Sequence, residues 1–184
     1  YETLVTYNSK TFQVEPLLAT SWKDVTPKQI RFNLRKDVKF QDGSDFTADD
    51  AVFSLTRAMA KTSNYGPFVQ GIEKIVKVDA STIDIFMVQP NPVLLRQMTE
   101  LRMMSKAWAE KNKSVEPIDI KKADENFAHR NAMGTGPFIL ESWQPDVRMV
   151  LKKNPNWWGS MPGNVTSVTY TPIKSASTRV AALL

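Results

Sequence analysis

The run from Ile30 to Met59 constrains this chain more than any other part, because strand, turn, helix cap and helix follow one another with every junction chemically marked. Ile30, Phe32 and Leu34 alternate with Arg31, Asn33 and Arg35, which predicts a strand with one buried and one wet face. Lys36-Asp37 can turn the chain, and Val38 and Phe40 resume the alternation. Asp42-Gly43 closes the segment, since Gly accepts the positive φ of many tight turns. Thr47 then stands as the N-cap of a helix, with Asp50 three residues on in a shortened capping box. Asp49 and Asp50 both fall where the helix dipole favours negative charge. Val52, Leu55, Thr56 and Met59 follow at helical spacing and are expected to lay one stripe on a core.

A second marked region, Gly134 to Gly159, reads as a Gly-Pro turn, a strand, a Gln144-Pro145-Asp146 turn, a second strand and an aromatic-rich loop. The two strands are expected to form a hairpin. Together the two regions resemble the family 5 solute-binding proteins of ABC transporters, a group that includes oligopeptide-, dipeptide- and nickel-binding proteins. The strings that carry the resemblance are LATSW at Leu18 to Trp22, RFNLRKDVKFQDG at Arg31 to Gly43, FTADDAVFSLTR at Phe46 to Arg57, GTGPF at Gly134 to Phe138 and NPNWWG at Asn154 to Gly159. Gln41 departs from the His that many members carry before Asp-Gly, and Trp157 from the commoner Tyr before Trp-Gly.

The rest of the chain reads in short elements. Tyr1 to Tyr7 is the end of a helix or strand, and Val14 to Trp22 an extended or short helical connection into a strand around Trp22 to Val25. Ser63 to Pro67 is a loop by composition. Ile72 to Val88 is a hairpin turning at Asp79-Ala80-Ser81 and ended by Pro90 and Pro92. Leu94 to Met98 and Lys106 to Lys111 read as short helices around a strand at Leu101 to Met104, and Ile118 to His129 as a partly exposed helix or loop. Val165 to Thr171 is a last strand with Val168 and Tyr170 on one face, before Pro172 breaks it and Ser175 or Ser177 caps a helix. Irregular alternation with hairpins dominant implies an α+β or mixed α/β fold rather than a doubly wound parallel sheet.

Composition sets bounds. The 184 residues, 42% of them hydrophobic and 10% aromatic, suffice for one sizeable core or two small ones. The absence of Cys removes disulfides and thiolate metal sites and selects no redox compartment. There is no apolar run of about 18 residues and no segment of signal-peptide type. Tyr1 is not an initiator Met, and the helix from Ser175 to Leu184 carries Val180, Leu183 and Leu184 straight into the terminus, so the chain is expected to be an excised fragment.

The net charge of +5 raises nucleic-acid binding as a reading, but Lys and Arg are scattered beside 19 acids. The densest pairs, Arg35-Lys36, Lys121-Lys122 and Lys152-Lys153, are expected to be solvated faces, so no nucleic-acid partner is implied. Catalysis is equally unsupported: with one His, no Cys and no G-x-S-x-G elbow, no triad can be assembled. His129, in a polar stretch, reads as a surface residue, and without a second His or a thiolate a zinc site fails. Gly134-Thr135-Gly136 precedes a strand rather than a helix, which removes a dinucleotide loop and leaves a turn needing small residues for close backbone packing. The acids Asp42, Asp45, Asp49 and Asp50 lack the EF-hand order, since position twelve is Phe53. No catalytic residue, metal or cofactor is implied.

Three residues stand as ligand candidates. Tyr65 and Phe68 flank Gly66-Pro67 on a loop, where binding side chains tend to sit, although both rings can equally plug the edge of a core. Arg102 carries a guanidinium able to fork onto a carboxylate. Trp143, Trp157 and Trp158 read as packing residues. The resemblance supplies the larger frame: two hinged lobes enclosing a solute, one lobe carrying an extra domain, and delivery to a membrane permease of an ABC importer. By it, residues 1–133 look like the extra domain, residues 134–184 like part of the first lobe, and the second lobe lies beyond Leu184. It implies a peptide or other small solute as ligand and a periplasmic or cell-surface lipoprotein location. A ligand-sensing domain of a transcriptional regulator is the alternative.

Overall fold

Antiparallel pairing dominates the computed structural model, which describes residues 1–122, 124–161 and 163–183. A two-stranded ribbon joins β1 (Val5–Asn8) to β2 (Gln13–Pro16). Strands β3 (Ala19–Thr26) and β4 (Gln29–Leu34) then form a hairpin, followed by helix α1 (Ala48–Ala58) and the single turn α2 (Gly66–Val69). Strands β5 (Ile72–Asp79) and β6 (Thr82–Met87) form the second hairpin and complete a sheet of order β3-β4-β6-β5. Short helices α3 (Leu94–Met98), α4 (Lys106–Lys111) and α5 (Phe127–Arg130) lead to a three-stranded sheet of β7 (Phe138–Gln144), β8 (Arg148–Lys153) and β9 (Ser167–Tyr170), and to helix α6 (Ala176–Leu183). The architecture is the expected mixed α/β one. Leu184, expected on the apolar side of the last helix, lies outside the described residues.

The core sits on one face of the four-stranded sheet. Ile30 opposes Ile85 and Phe32 opposes Ile83 across β4 and β6, so period-2 alternation on both strands delivers these side chains, all buried, to the same side. Helix α1 packs on that side, against β5 and β6. Its buried positions are Ala48, Ala51, Leu55 and Ala58 with the polar Asp50 and Ser54, which rotates the inward stripe from the one expected: Thr56 is exposed and Val52 and Met59 are only half-buried. Small alanines let the helix lie close to the sheet, while the larger Val52 and Met59 stay at its margin.

The opposite face is polar and carries a fork. Asp84 is buried and stands across from Arg31; its Oδ1 accepts from Arg31 Nε at 2.7 Å, and its Oδ2 from Arg31 Nη2 at 2.7 Å and from Gln29 Nε2 at 2.9 Å. The hydrogen-bonded Arg31 guanidinium holds the Asp84 carboxyl below the usual carboxylate range, against the opposing effect of burial. A carboxyl whose folded pKa lies below its unfolded value contributes stability above the unfolded value and loses it as pH falls through the folded one. Asp84→Asn is therefore expected to be less stable than the wild type at neutral pH. The gap should narrow below about pH 4, and denaturant melts that kept it constant down to about pH 2 would contradict this account.

Several local expectations are modified. Val38 and Phe40 are buried but form no strand beyond a single bridge between Lys39 and Asp45; Phe40 instead packs edge-on against Phe46, with ring centroids 6.0 Å apart. Gly43, at φ 88°, makes the tight turn. Leu101 to Met104 is extended yet unpaired apart from one bridge from Arg102 to Thr3, because the segment meets the N-terminal strand only where the Met103 N–H donates to the Glu2 carbonyl at 2.8 Å. Ser63 to Pro67 is a loop that tightens into α2, Pro67 fitting the first helical turn. Ser175, rather than Ser177, accepts the Thr178 N–H at 3.3 Å at the start of α6.

Candidate functional site

A cleft opens where helix α1, the loop before α2 and the segment 101–104 converge, and its walls are set by two buried polar residues of α1. Asp50 closes the capping box, its Oδ2 accepting the Thr47 N–H at 2.9 Å, and its Oδ1 also accepts the Lys106 N–H at 2.8 Å. Ser54, one turn on, donates to the Asp50 carbonyl at 2.7 Å and accepts the Met104 N–H at 2.8 Å. These bonds hold residues 104–106 alongside α1. The next turn of the helix brings Arg57 to the cleft, facing Tyr65 and Arg102.

The cleft has a volume of ≈ 210 Å³. Arg57 is half-buried; its Nε and Nη2 reach the carbonyls of Ser114 and Glu116, both at 3.4 Å, and burial draws its pKa below the ordinary arginine value. Arg102 is exposed, donating to the Thr99 carbonyl at 3.3 Å, with Glu100 no nearer than 3.9 Å. Tyr65 is 40% exposed and leans on Phe68, with ring centroids 6.2 Å apart. Phe68 packs against the core and does not border the cleft. Of the three candidates read from the sequence, two are thus brought together and the third supports one of them. Arg57 was missed; its signal was its place one turn beyond Ser54 on the same side of α1.

A second, wider cleft of ≈ 450 Å³ lies on the β7–β8 hairpin, lined by Leu140, Trp143, Met149 and Leu151 opposite α5. At its floor Gln41 donates to the Phe138 carbonyl at 2.8 Å, while its Oε1 is buried without a partner among the described residues. Gly134 passes so close to Tyr1 that a Cβ on it would stand 3.0 Å from the Tyr1 Cα, which is the close packing expected of the GTG turn. Among the described residues no cluster of His, Asp and Glu is arranged to hold a metal ion, and no helix is long and apolar enough to cross a membrane.

Residues 13–184 match the model of the bacterial extracellular solute-binding proteins, family 5 Middle. The chain belongs to this family. It is 29% identical over 208 residues to the dipeptide-binding protein of Escherichia coli (strain K12), covering 100% of this chain and 37% of that protein. Among solved structures, the periplasmic binding protein DppA of Helicobacter pylori in complex with the peptide STSA is similar at 28% identity and a TM-score of 0.81, over 100% of this chain and 38% of that one. NikZ of Campylobacter jejuni, at 22% identity and a TM-score of 0.85, shares the fold over 100% of this chain and 35% of its own. The chain thus spans about a third of the length of the curated relatives it matches. The family 5 proteins are solute-binding proteins rather than enzymes.

In this family 5 chain three readings of single residues need correction. Trp143, expected to pack, is 37% exposed on β7, where Arg130 stands 5.5 Å over its ring. His129 is half-buried instead of solvent-facing, its ring 6.2 Å from Trp143. Arg35 is not a freely solvated cation: it lies 4.4 Å over the Trp158 ring and its Nε donates to the Leu17 carbonyl at 3.2 Å. The pairs Lys121-Lys122 and Lys152-Lys153 are exposed as expected.

Proposed function

We propose that this chain is part of the solute receptor of an ABC importer, one that captures a peptide or other small solute between two lobes and hands it to a membrane permease. The observation that carries the reading is the convergence of Tyr65 and Arg102 on one open cleft of a rigid scaffold. An aromatic face with a phenol hydroxyl beside an exposed, loosely held guanidinium suits a small polar solute with an apolar body. Family membership and the peptide-bound relative support the same class of ligand. In this reading residues 1–133 form the extra domain and residues 134–184 part of the first lobe. The exposed side chains of β9 and α6, Tyr170, Val180 and Leu183 among them, are then the surface on which the remainder of that lobe packs. The location is periplasmic or, with a lipid anchor, at the cell surface.

The physical mechanism is a population shift. A solute that touches both lobes stabilises the closed form by its differential affinity, whereas one confined to a single lobe shifts nothing. Residues 1–184 alone are accordingly expected to bind no physiological solute tightly, and calorimetry giving submicromolar affinity for a peptide would contradict this. For the full-length protein a thermal-shift screen of short peptides and other solutes is expected to yield stabilising ligands. Tyr65→Ala should weaken their binding well beyond the small loss of stability, about 0.5–1.5 kcal/mol, expected from its contact with Phe68 in the unliganded protein.

A further inference from the structure

Resting on that reading, we propose that the solute of this receptor is an organic acid or acidic peptide, and that one of its carboxylates is held in the cleft between Arg57 and Arg102. Two guanidiniums border this cleft, and no Asp or Glu is among the residues that line it. Arg57 is held by backbone carbonyls with no carboxylate in ion-pair range among the described residues, and Arg102 makes one loose, solvent-exposed ion pair with Glu100 at 3.9 Å, which an incoming carboxylate can displace. A partly desolvated guanidinium without a counter-charge is unfavourable, and an incoming anion offsets that cost. Burial draws the Arg57 pKa down and outweighs the opposing pull of Tyr1, Glu116 and Tyr65, so its guanidinium is a cation held partly away from water.

Geometry narrows the anion to a carboxylate carried on a larger body. At ≈ 210 Å³ the cleft is smaller than cavities that enclose a whole small-molecule ligand, so it takes one end of the solute and leaves the rest to the surface opposite. Planar guanidiniums present parallel N–H donors that match two carboxylate oxygens, and Tyr65 adds a phenol at the same wall. The 114–116 carbonyls hold the Arg57 side chain, and Ser54 and Asp50 pin residues 104–106, next to Arg102, to α1. The backbone of the site is therefore preorganised, with Arg57 in place before the solute arrives and Arg102 closing on it from an exposed position.

The test uses the full-length protein with succinate as the acid probe, succinamide as its neutral match and sodium chloride at equal ionic strength, followed by thermal shift and calorimetry. Succinate should raise the melting temperature, while succinamide and salt should not. Arg102→Gln, at an exposed position, should weaken succinate binding about ten- to hundredfold, the loss expected for one charge-assisted pair. Arg57→Gln should do the same, and its unfolding midpoint without probe reports separately on the lost carbonyl contacts. Equal shifts by succinamide and succinate, no shift by succinate at about 50 mM, or an Arg102→Gln titration superimposable on the wild type would each overturn the assignment. If neutral or basic peptides stabilise the protein while succinate does not, the carboxylate subsite falls and the receptor reading stands. If no solute does, both fall.

Discussion

Replacing Glu2 by Ala is expected to lower the unfolding free energy by about 3–5 kcal/mol, measured by urea denaturation with tryptophan fluorescence. Glu2 is buried, and its carboxylate gathers three donors from the far end of the chain. Its Oε1 accepts from the Trp157 indole at 3.1 Å, and its Oε2 accepts from the Trp158 indole at 2.9 Å and from the Thr135 hydroxyl at 2.7 Å. Removing the carboxylate strands all three where water has little access, and each orphan costs about 1–3 kcal/mol, relieved in part by relaxation. Glu2→Gln should cost less, about 2 kcal/mol, because the amide keeps one acceptor but turns an N–H toward a donor. Arg35 stacks on the far side of this contact, 4.4 Å over the Trp158 ring. A loss under about 1 kcal/mol for Glu2→Ala would show that the clasp between the N-terminal segment and the 134–159 region is incidental.

Nothing local marks Glu2 for this role, which explains why the sequence reading passed over it. Its partners lie more than a hundred residues away, and only the folded chain brings them together. The same holds for the cleft. Tyr65 and Arg102 each had a reason to be singled out alone, a loop in one case and a forked cation in the other, but their meeting depends on Ser54 and Asp50 pinning the 104–106 segment to α1. Arg57 stood inside a string that read as helix, and a helical Arg is ordinarily a solvated one. Long-range hydrogen bonds therefore decided the site, and periodicity is blind to them.

The framework itself was far more legible. Strand β4 and the β5–β6 hairpin follow from alternation and turn chemistry that act within a few residues, and the cap of α1 from the spacing of Thr47 and Asp50. The failures were those of degree and rotation. Helical spacing puts the inward stripe of α1 at Val52, Leu55, Thr56 and Met59, whereas close helix-to-sheet packing selected the alanines and admitted two polar residues that bond across to the next segment. Trp143 was assigned to packing on its apolar area, yet its strand lies on an open cleft, where an aromatic face is left to meet Arg130.

Asp50 is where framework and site meet, and Asp50→Ala should cost about 3 kcal/mol and loosen the cleft at once. One carboxylate oxygen receives the Thr47 N–H and the other the Lys106 N–H, so the substitution orphans a helix-start donor and the first N–H of α4 together. Loss of a cap alone costs about 1 kcal/mol, and a buried unsatisfied donor adds about 1–3. Asp50→Asn separates the two contributions. It can keep the acceptor toward Lys106 only by presenting its amide to Thr47, or the reverse, so about half of the loss should remain. Because residues 104–106 carry the wall on which Arg102 sits, hydrogen exchange at Met104 and Lys106 should rise in Asp50→Ala well beyond the change in β4. Uniform acceleration across both would mean that the bond stabilises the fold as a whole without holding the cleft in shape, and preorganisation of the cleft backbone would then need another source.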